Sequence, residues 1–307
     1  MSSISKNMKF AVTGGAGFIG SHIVKYLLQE GHTVKVIDNL CNNSNSNITN
    51  YLDQIDFYQE DIRDYEKVEK IIRGCDGIFH QAALTSVQES FLEPQKYVDV
   101  NVNGSRNIIK IAVKENIKVV YASSSSIYGN QTNFSIKENT NKNPINPYGY
   151  SKLEMENLFK TDLNSEINSI GLRYFNVYGI GQNKNYAGVI TKFLSNINKN
   201  KPLVIFGDGT QKRDFIHVDD IVEANIMAMK SNIKNAIFNV GTGISTTINN
   251  LAELMIKISN FHRGIIHLPP ADGDVKFSQA DTDLIFSTLK WSSKIDLNTG
   301  INKLFLK

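Results

Sequence analysis

A hydroxyl, a phenol and an ammonium group together can move a proton off an alcohol, and this chain carries all three in two short segments. Ser123-Ser-Ser-Ser126 is followed by Tyr148-Gly-Tyr-Ser-Lys152. Four residues make about one helical turn, so Tyr148 and Lys152 share a helix face. A free tyrosine, with a pKa of roughly 10, is a poor base at neutral pH; bringing it to about 7 takes roughly 4 kcal/mol of preference for the phenolate. A cation about 4 Å away supplies that order of energy at an effective dielectric near 20. The spacing therefore points to Lys152 as the activator of a Tyr148 base, with a hydride carrier nearby. The same spacing also occurs on solvated surface helices, so the surrounding elements must decide.

Those elements begin at the N-terminus. Lys9-Phe-Ala-Val-Thr13 reads as a buried strand that runs into Gly14-Gly-Ala-Gly17-Phe-Ile-Gly20 and then into a helical pattern over 21–30, stopped by Gly31. A second strand, Thr33-Val-Lys-Val-Ile37, ends in Asp38. Strand, glycine turn, helix, strand and acid in this order make the βαβ dinucleotide fingerprint. Gly14 permits the tight turn, Gly17 the approach of backbone to a pyrophosphate, and Gly20 close helix packing. The helix N-terminus offers N–H groups and a positive dipole end to phosphates. Asp38 stands where a carboxylate binds ribose hydroxyls and repels a 2′-phosphate, which favours NAD over NADP.

With 307 residues, the chain suits one large α/β domain with an appended lobe. Its 41% hydrophobic and 21% charged residues match an ordinary globular protein. It shows neither a membrane-spanning apolar run nor a signal peptide, and Cys41 and Cys75 offer no disulfide framework, so a cytoplasmic protein is expected. No basic run is interleaved with aromatics, so no nucleic-acid partner is expected. His262 and His267 lack companion ligands, so no metal is expected either.

Strands are predicted at 9–13, 33–38, 55–59, 77–81, 118–123 and 169–175, alternating with helices. That pattern implies an α/β fold, a Rossmann-type doubly wound parallel sheet. Asp61 ends the third strand within reach of an adenine. His80-Gln-Ala-Ala83 ends the fourth with small residues that let a cofactor lie close. A helix is predicted from about 94 to 115; its Asn101 either faces the cofactor or serves internal hydrogen bonding. The fifth strand delivers the serines at its C-terminal end, where open α/β sheets bind ligands. Residues 1–176, with 212–243 returning and 237–240 as a last strand, are assigned to the dinucleotide-binding domain. Residues 177–211 and 244–307 are assigned to a smaller C-terminal substrate-binding lobe.

With these motifs assembled, the chain resembles the extended short-chain dehydrogenase/reductase family, most closely its nucleotide-sugar 4-epimerases. The likeness rests on Thr13-Gly-Gly-Ala-Gly-Phe-Ile-Gly20, Asp38-Asn-Leu-Cys-Asn42, Asp61-Ile-Arg63, 123–129, Tyr148–Lys152, Arg173-Tyr-Phe-Asn176 and Arg213-Asp-Phe-Ile-His217. It implies an NAD-dependent exchange of C4 configuration in a UDP-hexose through a transient 4-keto sugar. Ser124, Tyr148 and Lys152 are the implied catalytic residues. Around the dinucleotide the resemblance places Gly14, Gly17, Phe18, Ile19, Gly20, Asp38, Asn39, Asn42, Asp61 and Ile62. Further along it places Gln81, Ala82, Ala83, Thr85, Asn101, Ala122, Ser123 and Phe175, together with Tyr148 and Lys152. Around the UDP-sugar it places Ser124, Ser126, Asn176, Val189, Phe206, Arg213, Asp274 and Ser278. A homodimer through helices over 98–113 and 148–159 is also implied.

Two departures from the family pattern stand out. Ala271 replaces an arginine that grips diphosphate, and Thr85 replaces a lysine past the fourth strand. Ser278 is small at a position near the sugar C2 substituent, which implies room for an N-acetyl group. Related 4,6-dehydratases need an Asp-Glu pair just after the catalytic hydroxyl; here Ser125 and Ser126 occupy those positions. The decarboxylases' glutamate is likewise missing. A UDP-glucuronate 4-epimerase, or a non-catalytic NAD-binding module, are the competing readings.

Overall fold

The computed structural model describes residues 7–41, 45–131, 135–161, 167–182, 188–270, 273 and 275–306. Along the chain run β1 (Lys9–Thr13), α1 (Phe18–Gln29), β2 (Thr33–Ile37), β3 (Asp56–Tyr58), α2 (Tyr65–Ile72), β4 (Gly77–His80), α3 (Val87–Leu92), α4 (Pro94–Val98), α5 (Gly104–Glu115), β5 (Lys118–Ser124), α6 (Pro147–Thr161) and β6 (Ser169–Tyr174). Strands and helices alternate to this point except that β3 follows β2 without an intervening α-helix and α3, α4 and α5 run in succession. There follow β7 (Asn176–Tyr178), α7 (Val189–Asn198), β8 (Leu203–Phe206), β9 (Lys212–His217), α8 (Val218–Lys230), β10 (Ala236–Val240), β11 (Ser245–Thr247), α9 (Ile248–Ser259), β12 (Ile265–Leu268), α10 (Asp283–Leu289) and α11 (Leu297–Phe305).

Seven strands form one parallel sheet in the order β10-β6-β5-β4-β1-β2-β3. Successive side chains of a strand point to opposite faces, and both faces here are covered. Phe10, Val12, Val120 and Leu172 therefore pack with Ile23, Val24 and Leu27 of α1 and Ile221 of α8. Ala11, Val119 and Tyr121 pack instead with Ile72 of α2, Ile108 of α5 and Met155 and Phe159 of α6. Burying one Leu or Ile of these layers contributes roughly 1.5–3 kcal/mol. Strand order reverses between β1 and β4, which opens a crevice at the C-terminal strand ends.

The single helix expected over 94–115 is instead α4, a π-helical turn at Asp99–Asn103, and α5. Such wider turns concentrate where a side chain is called to an unusual position; this one carries Asn101.

Two small sheets, β11-β9-β7 and β12-β8, lie outside the large one. Of the stretch 212–243, β9 pairs with β7 and β11, while β10 joins the large sheet beside β6. A separate core of Phe193, Leu203, Ile205, Phe215, Leu251, Met255 and Ile301 holds the smaller lobe. No helix among the described residues is long and apolar enough to cross a membrane.

Candidate active site

The glycine turn is a cradle that only glycine can line. Gly14 has φ +67° and donates its N–H to Ile37 O at 2.8 Å. A Cβ on Gly14 would lie 2.6 Å from Ala82 N, and one on Gly20 would lie 2.1 Å from Gly14 O. Gly17 caps α1 without any side-chain acceptor, so the N–H groups of Phe18 and Ile19 in the first turn meet no capping side chain. This arrangement suits a diphosphate, and the residues present fit a bound NAD. Beside it the Asp38 carboxylate accepts from Ala16 N at 3.0 Å and Leu40 N at 2.9 Å. Burial pushes Asp38 up, and these backbone bonds pull it back.

Not every expected cofactor residue presents a free side chain. Both Asp61 oxygens are taken by Arg63, and Oδ2 also accepts from Asn39 at 2.7 Å. The Arg63 guanidinium pulls Asp61 down to about 2. The carboxylate expected to reach an adenine also braces Arg63 and Asn39. Ile62 beside it is buried and packs in the second sheet face. Asn101 follows the internal of its two readings: it accepts from Leu84 N at 2.8 Å and donates to Leu84 O at 3.0 Å and Ser151 Oγ at 2.9 Å. Its amide clamps the loop after β4 to α6. Gln81 joins Asn225 and Tyr174, Ala82 donates to Thr13 Oγ1, Ala83 is half-buried and Thr85 is exposed. Asn42 lies outside the described residues.

The chemical centre forms where β5 ends against α6. Asn146 accepts from Gly149 N at 2.8 Å and Pro147 opens the helix, so α6 starts where Tyr148 is needed. Three consecutive β5 residues then meet one face of α6. Lys152 Nζ donates to Ala122 O at 2.9 Å, and Ser123 Oγ donates to Glu156 Oε1 at 2.5 Å. Ser124 stands near enough to the Tyr148 phenol to lower it against burial. Ser124 Oγ also accepts from Ser126 N at 3.1 Å and donates to Ser126 Oγ at 3.1 Å. Tyr97 stands edge-on to Tyr148, with ring centroids 6.4 Å apart.

Charge at this centre differs from the simple expectation. Burial raises the Tyr148 phenol, and Ser124 is what lowers it. Lys152 Nζ, one helical turn from the phenol, is anchored on the Ala122 carbonyl and keeps two further N–H donors. Burial drives Lys152 itself down to about 8, with Glu156 opposing.

Beneath the centre His80 links Thr13 Oγ1 at 2.7 Å to Ser105 Oγ at 2.8 Å, and burial followed by Lys152 drives it down to about 3. Ser105 spends its proton on Asn101 O and Thr13 accepts from Ala82 N. The network assigns the neutral ring its proton on Nε2. His80, Tyr97 and Glu156 were not singled out from sequence. The i+4 spacing of Glu156 from Lys152 was the available signal.

The remaining positions follow β6 or lie in the smaller lobe. Phe175 is buried with Ile127 and Tyr128, Asn176 opens β7 and Val189 begins α7. Phe206 ends β8 at 42% exposure. Ser278 N donates to Lys212 O at 3.1 Å, which sets it beside the strand of Arg213; both are buried. Asp274 and Ala271 lie outside the described residues. A cavity of about 380 Å³ behind Arg173, lined by Tyr121, Lys142, Phe159 and Lys160, includes none of the serine, tyrosine and lysine centre. Among the described residues no three metal-ligating side chains converge.

The chain is 34% identical over 312 residues to the UDP-glucose 4-epimerase of Lactobacillus helveticus, covering 94% of this chain and 92% of that one. The solved structure of Thermotoga maritima UDP-glucose 4-epimerase with UDP-glucose superposes with a TM-score of 0.92 at 35% identity, covering 96% of each chain. UDP-N-acetylglucosamine 4-epimerase from Methanobrevibacter ruminantium, in complex with UDP-N-acetylmuramic acid, also gives 0.92, at 36% identity and 97% of each chain. A family model matches residues 10–241. With the glycine cradle after β1 and the Tyr148 centre at the C-terminal end of β5, the chain belongs to the NAD dependent epimerase/dehydratase family.

Proposed function

We propose that this protein is an NAD-dependent UDP-sugar 4-epimerase that interconverts UDP-glucose and UDP-galactose, and also UDP-GlcNAc and UDP-GalNAc. The observation that carries the reading is the junction of β5 with α6, where Lys152 holds Ala122 and Glu156 holds Ser123, which brings Ser124 toward Tyr148 in a sheet that also carries the glycine cradle. NAD, when bound, supplies reversible hydride uptake at the sugar C4. Tyr148 takes the C4 hydroxyl proton and later returns it, and Ser124 orients that hydroxyl. Lys152 supplies positive charge one helical turn away. The transient 4-keto sugar turns about its phosphate link and is reduced on its opposite face. The flanking Ser125 and Ser126 supply no carboxylate to expel water, which disfavours a dehydratase.

In this reading Phe206 serves the uracil and Arg213 the diphosphate, and Asn176, Val189 and Ser126 hold the sugar nucleotide. Ser278 leaves room for an N-acetyl group. Tyr148→Phe tests the assignment: turnover should fall by about 10²–10⁴ while NAD stays bound. Retained turnover would refute it.

We also propose a homodimer through α4, α5 and α6. Val98 and Tyr150 are exposed apolar residues on these helices, with Phe91 and Leu92 of α3 nearby in sequence. Light scattering at the monomer mass would refute it.

A further inference from the structure

Glu156 is fully buried yet plays no part in the steps above. It stands one turn beyond Lys152 on the face of α6 that carries Tyr148. Oε1 accepts from Ser123 Oγ at 2.5 Å and from Arg173 Nε at 2.8 Å, and Oε2 accepts from Arg173 Nη2 at 2.8 Å. Lys160 Nζ lies 3.8 Å from Oε2. Arg173 spends Nη1 on Tyr128 Oη and Glu138 O.

Stability is a weak reason for such a pair, because two buried charges lose their hydration and apolar replacements are often neutral or stabilising. Position is a better one. Ala122 is held by Lys152 and Ser123 by Glu156, and the next residue, Ser124, is thereby presented to Tyr148. We propose that Glu156 is a positioning residue: its carboxylate is the counter-charge of Lys152 and the tether that fixes the Ser123–Ser124 end of β5. This inference rests on the reading that Ser124, Tyr148 and Lys152 form the reaction centre.

The charges around Lys152 and Glu156 fall on four elements. Lys160 comes from α6, Arg173 from β6, Glu138 and Lys142 from the segment before α6, and the neutral His80 from β4. Tyr121 and Tyr128 of the fifth-strand segment also feel Glu156. Burial lowers Lys152 to about 8 and Glu156 is the group that opposes this. Loss of the carboxylate therefore makes Lys152 shed its proton at lower pH, and the charge beside Tyr148 disappears sooner as pH rises.

The test compares wild type, Glu156→Gln and the double variant Glu156→Gln/Arg173→Met, which leaves no unpaired guanidinium if the single variant fails to fold. Lysine ¹³Cε NMR, with Lys152 assigned from Lys152→Arg, follows its titration; kcat and KM for UDP-galactose are measured against pH. In whichever variant folds, the Lys152 titration and the alkaline limb of kcat should both move down, by about one unit. kcat near neutral pH should fall about tenfold, with KM changing far less. An unmoved Lys152 titration overturns the proposal. So does an unchanged kcat profile in an active variant. If wild type turns over no sugar nucleotide, the epimerase reading fails, while the NMR titration still decides whether Glu156 sets the charge of Lys152.

Discussion

Lys152 Nζ donates to the Ala122 carbonyl at 2.9 Å, tying the helical turn after Tyr148 to the strand residue two before Ser124. The lysine is thus part of the scaffold as well as a charge. Its grip on β5 sets the register in which the Ser124 hydroxyl meets the phenol, so the pair is organised by contacts within the protein.

Ser124→Ala removes the group that, among the described residues, lowers the Tyr148 phenol against burial. The phenol then titrates higher, so the rising limb of kcat/KM should move to higher pH. kcat at neutral pH should drop by about 10²-fold. A pH–rate profile of the variant checks both, and an unshifted limb would assign Ser124 to packing alone.

Gly20→Ala places a methyl 2.1 Å from the Gly14 carbonyl oxygen, a backbone atom that cannot swing aside. The cradle must open, costing about 1–3 kcal/mol. The purified variant should carry little NAD and melt earlier than wild type. Cofactor content after denaturation, measured by chromatography, reads the effect; full NAD content would mean that α1 adjusts without disturbing the turn.

His80 makes the fold acid-sensitive. Burial holds it down to about 3 from an ordinary 6.5, so the unfolded chain binds more protons between those values. Its contribution is intact above pH 6.5 and is lost as pH falls toward 3, amounting to about 3 kcal/mol by pH 4. Melting temperature should drop over this range, and His80→Asn should flatten the drop. An identical acid slope in the variant would assign it to other groups.

Ser278→Tyr should selectively remove turnover of the N-acetylated sugars, since the proposal assigns acceptance of the N-acetyl group to the small side chain of this buried serine. Steady-state rates with UDP-GalNAc and UDP-galactose decide it. Equal loss of both would mean that the substitution damages the lobe rather than the choice of sugar.

Much of this architecture is legible in the chain because it is local. Thr13 to Gly20 and Thr33 to Asp38 form one continuous βαβ unit; its strands appear where the sequence places them, while α1 starts at Phe18, three residues ahead of the expected start. Tyr148 and Lys152 share a helix by spacing alone. Hidden partners are the ones fixed by tertiary burial. Thr13 meets His80 across 67 residues and Ser123 meets Glu156 across 33, and neither pairing leaves a periodic signal. The π-helical turn at Asp99–Asn103 is likewise invisible, because the apolar pattern continues through it. The pairing of Asp61 with Arg63, two positions on, is also a folded-state contact that no periodicity announces. In the smaller lobe β8 pairs with β12 some 60 residues later, a register no local pattern specifies.

The most direct measurement is incubation of the purified protein with UDP-galactose, UDP-GalNAc and UDP-glucuronate separately, without added NAD, followed by resolution of the C4 isomers. The account predicts that UDP-galactose and UDP-GalNAc each give their gluco isomers using cofactor that came with the protein. Turnover of UDP-glucuronate alone would move the substrate to a different C6 group. No isomer from any of the three, with NAD shown to be bound, would contradict the epimerase reading.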